Sequence, residues 1–339
     1  MLAIALAAVF LLGFSACNRK ARVLEVNYVS AAQATLRDQV AIAYNHVGTV
    51  KNGERVEVLE REKRFSRVRT TGGVEGWIEQ RYLVDQHTYD ALQKLTQDNL
   101  NDPVQSPGVL RNETNLHLTP GREAEHLYQL SAGAKVSVLK RATAEKQPGS
   151  VPTQSKAGKA SGGKASPGPV LEDWWLVRDA ESRVGWVLAR MVDLDVPLDI
   201  AQYAEGQRIV AFFVLNQVQD AGKEGTDKKV SQYLCAITEP HDGLPYDYDQ
   251  IRVFTWNVKK HRYETAYREH GLNGELPVAV SNENFDKEGV LPVFILRVKD
   301  DGGNVSERKY KMNTPIVRRV LAPGEQRQAP KPAGKNRRR

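Results

Sequence analysis

Phe65-Ser66-Arg67-Val68-Arg69-Thr70, then Thr71-Gly72-Gly73, then Val74-Glu75-Gly76-Trp77-Ile78: this stretch decides the fold. Alternating apolar and polar side chains on either side of a double-glycine turn describe two short antiparallel strands. Upstream, Lys51-Asn52-Gly53-Glu54 is a tight turn ahead of another alternating run, Val56-Glu57-Val58-Leu59-Glu60. The pattern then returns. Leu36, Gly53, Val56, Val58 and Leu59 recur 80 residues later as Leu116, Gly133, Val136, Val138 and Leu139. Val68-Arg69 and Gly76-Trp77 recur 109 residues later as Val177-Arg178 and Gly185-Trp186. The offsets differ by 29 residues, and the difference falls on a low-complexity stretch from Lys140 to Pro169. Two copies of one small β-module are expected, the second carrying a disordered insert in a surface turn. Loop closure costs little more for a long loop than for a short one, so the insert need not disturb the module.

The copies span 26–84 and 109–194. Between them, 85–108 interleaves Tyr89, Ala91, Leu92, Leu95 and Leu100 with Asp90, Gln93, Lys94, Gln97 and Asp98, as a short helix would. Gly53, Phe65, Val68, Gly76, Trp77, Ile78, Tyr82 and Leu83, in that order, resemble the bacterial SH3-like (SH3b) domain. The second copy repeats the pattern with Gly133, Trp174, Val177, Gly185, Trp186, Val187 and Arg190-Met191-Val192. The early Leu-Asn-Val-Arg motif of that family is reduced here to Thr35-Leu36-Arg37-Asp38. The resemblance implies small barrels that bind peptidoglycan or protein partners and carry no catalytic residues of their own.

Three tryptophans are candidate ligand contacts. Trp77 and Trp186 each follow a glycine in a strand, where a ring either stacks on a ligand or fills a small core. Trp174 and Trp175 are neighbours on one strand and must face opposite sides. Trp175, aligned with Ser66, is therefore expected to be the exposed aromatic.

Beyond the repeat, 198–320 reads as β-rich. Ile209–Leu215 and Tyr233–Ile237 are apolar strands, and Ile251–Val258 with Arg262–Arg268 forms a hairpin rich in Val, Thr, Tyr and Trp. The expected fold is all-β, two tandem SH3-like small barrels followed by a sandwich-like module. The most polar cluster, His241-Asp242 with Pro245-Tyr246-Asp247-Tyr248-Asp249, lacks calcium-loop spacing and suits a solvated turn. No zinc-protease motif, nucleophile elbow, phosphate loop or paired-cysteine motif occurs. The chain is expected not to be an enzyme, with no catalytic residues, no cofactor and no metal site. Cys235, in the strand-like Tyr233–Ile237 run, is expected to be an inert buried thiol.

Leu2–Gly13 is apolar and too short to span a bilayer comfortably, but it suits an export signal. Phe14-Ser15-Ala16-Cys17 resembles a bacterial lipobox, which implies removal of 1–16 and a lipid on Cys17. Such a protein would sit on the cell membrane or the outer membrane and face the periplasm. The net charge of +7 is concentrated in two segments, 140–169 and 321–339, each +5, so the rest of the chain sums to −3. Flexible basic segments attract polyanions in general, without the ordered groove that nucleic-acid recognition requires. The expected role is a non-catalytic lipoprotein that binds peptidoglycan or an envelope protein, held at the membrane by Cys17. The alternatives are a protein-interaction scaffold without wall binding, and a cell-wall-modifying enzyme with an unrecognised catalytic domain in 198–320.

Overall fold

The computed structural model describes residues 22–146, 169–222 and 228–321. The expected signal at 1–16, Cys17, residues 147–168 of the insert and the tail from 322 lie outside the described residues. The chain divides into two compact units, one ending at Gln86 and the other beginning at His87.

The first unit holds β1 (Glu25–Val29), β2 (Gln33–Arg37), β3 (His46–Lys51), β4 (Arg55–Glu62), β5 (Phe65–Thr70), β6 (Glu75–Glu79) and β7 (Leu83–Asp85). They form one sheet in the order β3-β2-β6-β5-β4-β1-β7. Alternation sorts its faces. Val56, Val58, Val68 and Ile78 turn inward onto Val29, Leu36 and Val50, each such burial contributing about 1.5–3 kcal/mol. The sheet is not the closed barrel expected. Its edge strands β3 and β7 share no ladder, and β2 meets β6 at one register pair, Arg37 with Trp77.

The second unit begins with α1 (Gln86–Asp98), whose first residue belongs to the preceding unit. Next come β8 (Ser106–Leu110), β9 (Thr114–His117), β10 (His126–Leu130), β11 (Lys135–Glu145), β12 (Leu171–Arg178), β13 (Val184–Leu188) and β14 (Val192–Leu194). Their order, β10-β9-β13-β12-β11-β8-β14, reproduces that of the first sheet strand for strand. This second sheet curls into a half-barrel. Details repeat as well: β4 slips register between Val58 and Glu60, and β11 slips between Val138 and Lys140. Gly53 and Gly133 turn with φ of 77° and 78°, a conformation that costs glycine nothing. A Cβ on Gly76 would lie 2.7 Å from the Leu36 Cβ, and one on Gly185 would lie 2.6 Å from the Leu116 Cβ. The glycine before each tryptophan therefore lets a leucine of the neighbouring strand pack against bare backbone.

The hairpin β11–β12 runs further than the sequence pattern implies. Its ladder continues to Glu145 opposite Leu171, and Lys146 N–H donates to the Val170 carbonyl at 2.7 Å. Lys140 to Glu145, expected in the disordered insert, are thus strand.

After the short α2 (Leu198–Ala201), the third sheet consists of β15 (Arg208–Gln219), β16 (Lys229–Thr238), β17 (Tyr248–Asn257), β18 (Arg262–Asn284), β19 (Val290–Lys299), β20 (Val305–Asn313) and β21 (Ile316–Val320). They follow one another in sequence order, all antiparallel. This is one sheet rather than the expected sandwich. Each face finds a different cover. Val210, Leu234, Ile251, Phe294 and Tyr310 join Val138, Trp175, Val177 and Val187 of the second sheet in one core. On the other side Phe212, Tyr233, Cys235 and Phe254 are covered by Val196, Ile200 and Tyr203 of the connecting segment.

Candidate functional site

The β2–β3 loop of the first unit is built to display its tip. Asp38 N–H donates to the Asn45 carbonyl at 3.1 Å. The Asn45 backbone and side-chain amides each donate to the Asp38 carboxylate at 2.8 Å, and this backbone donor first, then the side-chain one, holds the Asp38 carboxyl below its ordinary range. Gln39 Nε2 donates to the Ala43 carbonyl at 3.0 Å. The base is thereby closed, and the apolar tip has nowhere inward to go. Ile42 is fully exposed, and Tyr44 is 41% exposed.

Beside this loop lies a cleft of about 530 Å³, lined by Arg37, Val40, Ala41, Ile42, Lys63, Arg64 and Phe65. Lys63 holds the β4–β5 turn at φ 51°, in the left-handed region. The Arg37 guanidinium lies 4.1 Å from the Tyr44 ring centre and 5.1 Å from that of Phe65. Its nearest carboxylate is Glu79 at 3.6 Å, and Glu79 is also engaged by Arg81 at 2.9 Å. Such cation–aromatic stacking is worth about 0.5–1 kcal/mol at an exposed site, and it fixes the guanidinium plane without using up its N–H donors. The cleft therefore combines exposed apolar surface with three cations, Arg37, Lys63 and Arg64. It is suited to a ligand bearing carboxylates on an apolar or sugar-like body.

The sequence-derived candidates fare differently. Trp77 is half-buried on β6, opposite Arg37 and Arg67 in register. Trp186 occupies the matching place on β13, opposite His117, and like Leu95 packs against the cluster of Leu139, Leu176 and Val184. Trp175 is not the exposed contact expected: it is 3% exposed. The face of β12 that would look onto solvent in an isolated module is covered by the third sheet. Trp174 faces the other way, 5.3 Å from His117 in an edge-on contact. Cys17 lies outside the described residues.

The polar cluster His241–Asp249 is not the solvated turn expected: its centre is buried against the second sheet. Arg141 donates from Nη1 to Asp247 Oδ1 at 3.1 Å and to the Tyr246 carbonyl at 2.9 Å, and from Nη2 to Asp173 Oδ1 at 2.7 Å. Asp173 also accepts from Gly243 N–H at 3.0 Å and from Arg208 Nη2 at 2.6 Å. Burial works to raise the Asp173 carboxyl, but these donors together hold it below its ordinary range. Asp247 goes the other way, raised by burial despite the Leu276 N–H and Arg141 donors. Cys235 is fully buried, and burial pushes its thiol up to about 12. Among the described residues no three His, Cys, Asp or Glu side chains converge to hold a metal.

Sequence reasoning missed Arg37, Ile42, Tyr44, Lys63 and Arg64. One signal was available: Val40-Ala41-Ile42-Ala43-Tyr44 is an apolar run between Asp38-Gln39 and Asn45, out of step with any strand alternation.

Residues 33–84 match the bacterial SH3 domain family, so the cleft sits inside an SH3-like domain. No curated protein matches the chain. Among solved structures, NlpC2 from Trichomonas vaginalis is 12% identical with a TM-score of 0.17, over 84% of this chain and 96% of its own. NlpC1 from Trichomonas vaginalis is 11% identical with a TM-score of 0.16, over 84% and 87%. An NlpC/P60 family protein from Bacillus cereus is 10% identical with a TM-score of 0.23, over 84% and 93%. The expectation that the chain is not an enzyme is not carried further, because at these identities and TM-scores the names carry no argument about activity in either direction. Likeness at this level transfers no active site.

Proposed function

We propose that this protein acts on the bacterial cell wall, with the cleft of its first SH3-like domain as the surface that engages peptidoglycan. The observation that carries the reading is the self-braced loop holding Ile42 and Tyr44 in solvent beside Arg37, Lys63 and Arg64. The braced loop keeps that apolar surface in water, and a ligand that covers it offsets the exposure. The second sheet, with the same strand order, register slip and glycine-leucine contact, is a second SH3-like copy on this reading. Cys17 carries a lipid that anchors the protein to the membrane, which places both copies on the wall-facing side.

Purified sacculi provide the test. The full chain and its Ile42→Asp variant, altered at a fully exposed position, are compared for retention at low and high salt, and the supernatant is assayed for released wall fragments. The reading expects retention that Ile42→Asp reduces about tenfold. Equal retention of both proteins, or none of either, overturns it. Release of fragments places wall turnover on top of binding. The intact mass of the mature protein checks the lipid on Cys17.

A further inference from the structure

The second unit contains another cleft, of about 380 Å³, between the second and third sheets. Its size falls within the range of small-ligand sites, roughly 300–1,000 Å³. Trp175, Ala189 and Val192, all buried, and Val196 and Ile209 supply its apolar lining. Three arginines line it, Arg111, Arg190 and Arg208, against two carboxylates, Asp193 and Asp242, each already paired with one of them. The commitments of the arginines differ, and the differences suggest what the cleft takes.

Arg208 is the fixed member. It donates to Asp173 at 2.6 Å, to Asp242 at 2.9 Å and to the His241 carbonyl at 3.2 Å, and its buried Nε–H has no acceptor. Arg111 pairs with Asp193 at 2.5 and 2.8 Å, but both side chains are more than half exposed. A pair that wet contributes little and exchanges readily for another carboxylate. Arg190 is the least committed. Its carboxylate contact is Glu172 at 3.9 Å, and Glu172 already receives Arg122 through both of its oxygens, at 2.5 and 2.8 Å. The side chain of Arg190 is 60% exposed.

We infer that this cleft binds a small carboxylate-terminated ligand with a compact apolar body, of the kind presented by the free C-terminus of a short peptide. Arg190 takes the carboxylate in a two-pronged contact, for which the planar guanidinium is shaped. Arg111 turns from Asp193 to join it, and the apolar body lies over Val192 and Ile209. The inference is independent of the cleft in the first unit and does not require it.

The test uses the full chain and N-acetyl-alanyl-alanine as the probe, followed by titration calorimetry. Three comparisons accompany it: the C-terminal amide of the same dipeptide, inorganic phosphate, and the Arg190→Ala and Arg190→Lys variants. The expected result is saturable binding of the free acid, at least about tenfold weaker for the amide and for Arg190→Ala, with Arg190→Lys in between. Arg190 is exposed, so the thermal melt of both variants stays at the wild-type value. No saturable binding of the acid overturns the inference. Equal binding of acid and amide does the same, as does binding of phosphate in place of the acid. Sacculus retention that depends on Ile42 is read separately, so either reading can fail alone.

Discussion

Replacing Arg141 with Met keeps the length of the side-chain stem and removes the charge on which the buried polar join depends. The Arg141 side chain is 4% exposed, Asp173 is 0% and Asp247 is 18%. Deleting one partner of a buried ion pair costs about 3–5 kcal/mol, because the other charge stays desolvated. Here two facts set where in that range the cost falls. Asp173 keeps Arg208 and Gly243 as donors, which limits its loss. The Leu244 and Tyr246 carbonyls and one Asp247 oxygen all lose a donor, which adds to it. The expected cost is about 3 kcal/mol, at the low end. For a unit of this size that corresponds to a fall in Tm of roughly 6–12 °C. Urea unfolding followed by tryptophan fluorescence is the assay, since Trp174, Trp175, Trp186 and Trp256 all report on the second unit. Asp173→Asn completes a double-mutant cycle, and the double variant is expected to be milder than the sum of the singles by at least about 1 kcal/mol. A loss under 1 kcal/mol that simply adds to that of Asp173→Asn would refute the reasoning. It would show that the network is solvated and that the join rests on apolar packing alone.

Gly76→Ala and Gly185→Ala should each cost about 1–3 kcal/mol, because the added methyl meets Leu36 or Leu116 at under 3 Å; unchanged melts would show that the two strands part freely. Burial first, then the charge of His126, lowers the His117 pKa, while its bond to the Ala124 carbonyl opposes this. The unfolded chain therefore takes up that proton first, and stability should decline as pH falls from about 6.5 through the lowered folded value. His117→Gln should flatten that limb of a stability-against-pH curve, and an unchanged slope would remove His117 from the account. The Cys235 thiol should resist a thiol reagent in the folded protein at pH 8 and react when urea unfolds the second unit, given full burial and a pKa of about 12; labelling without denaturant would contradict that placement.

The strands and the repeat were legible because both are written in local periodicity. Val56, Val58, Val68 and Gly76 need only their neighbours to declare a face. What could not be read was how the second sheet meets the third. Arg141 looks like one more cation in a basic stretch, and Asp173, Asp242 and Asp247 look like ordinary loop acids. A buried ion network and a solvated turn share one composition, and only the pairing of residues more than 100 apart, Arg141 with Asp247, separates them. The misplacement of Trp175 has the same origin. A face that would be wet in a free-standing module is dry here because of strands that begin some thirty residues later. The cleft of the first domain escaped for another reason: Val40, Ala41, Ile42, Lys63 and Arg64 lie on turns, where no period marks function, and Arg37 and Phe65 stand at strand ends.

The apolar clusters of the first two sheets set a limit on how this chain can be rearranged. The cluster of the first domain draws every member from residues before 86, so a gene fragment ending there carries its whole interior with it. The second domain shares its interior with the third sheet. Cut out alone, it would present Trp175, Val138 and Val187 to water as a sticky face. The two sheets share one strand order, but only the first is a portable part; the other is half of a larger object. Grafting, shuffling or truncation should therefore treat everything from His87 onward as a single piece.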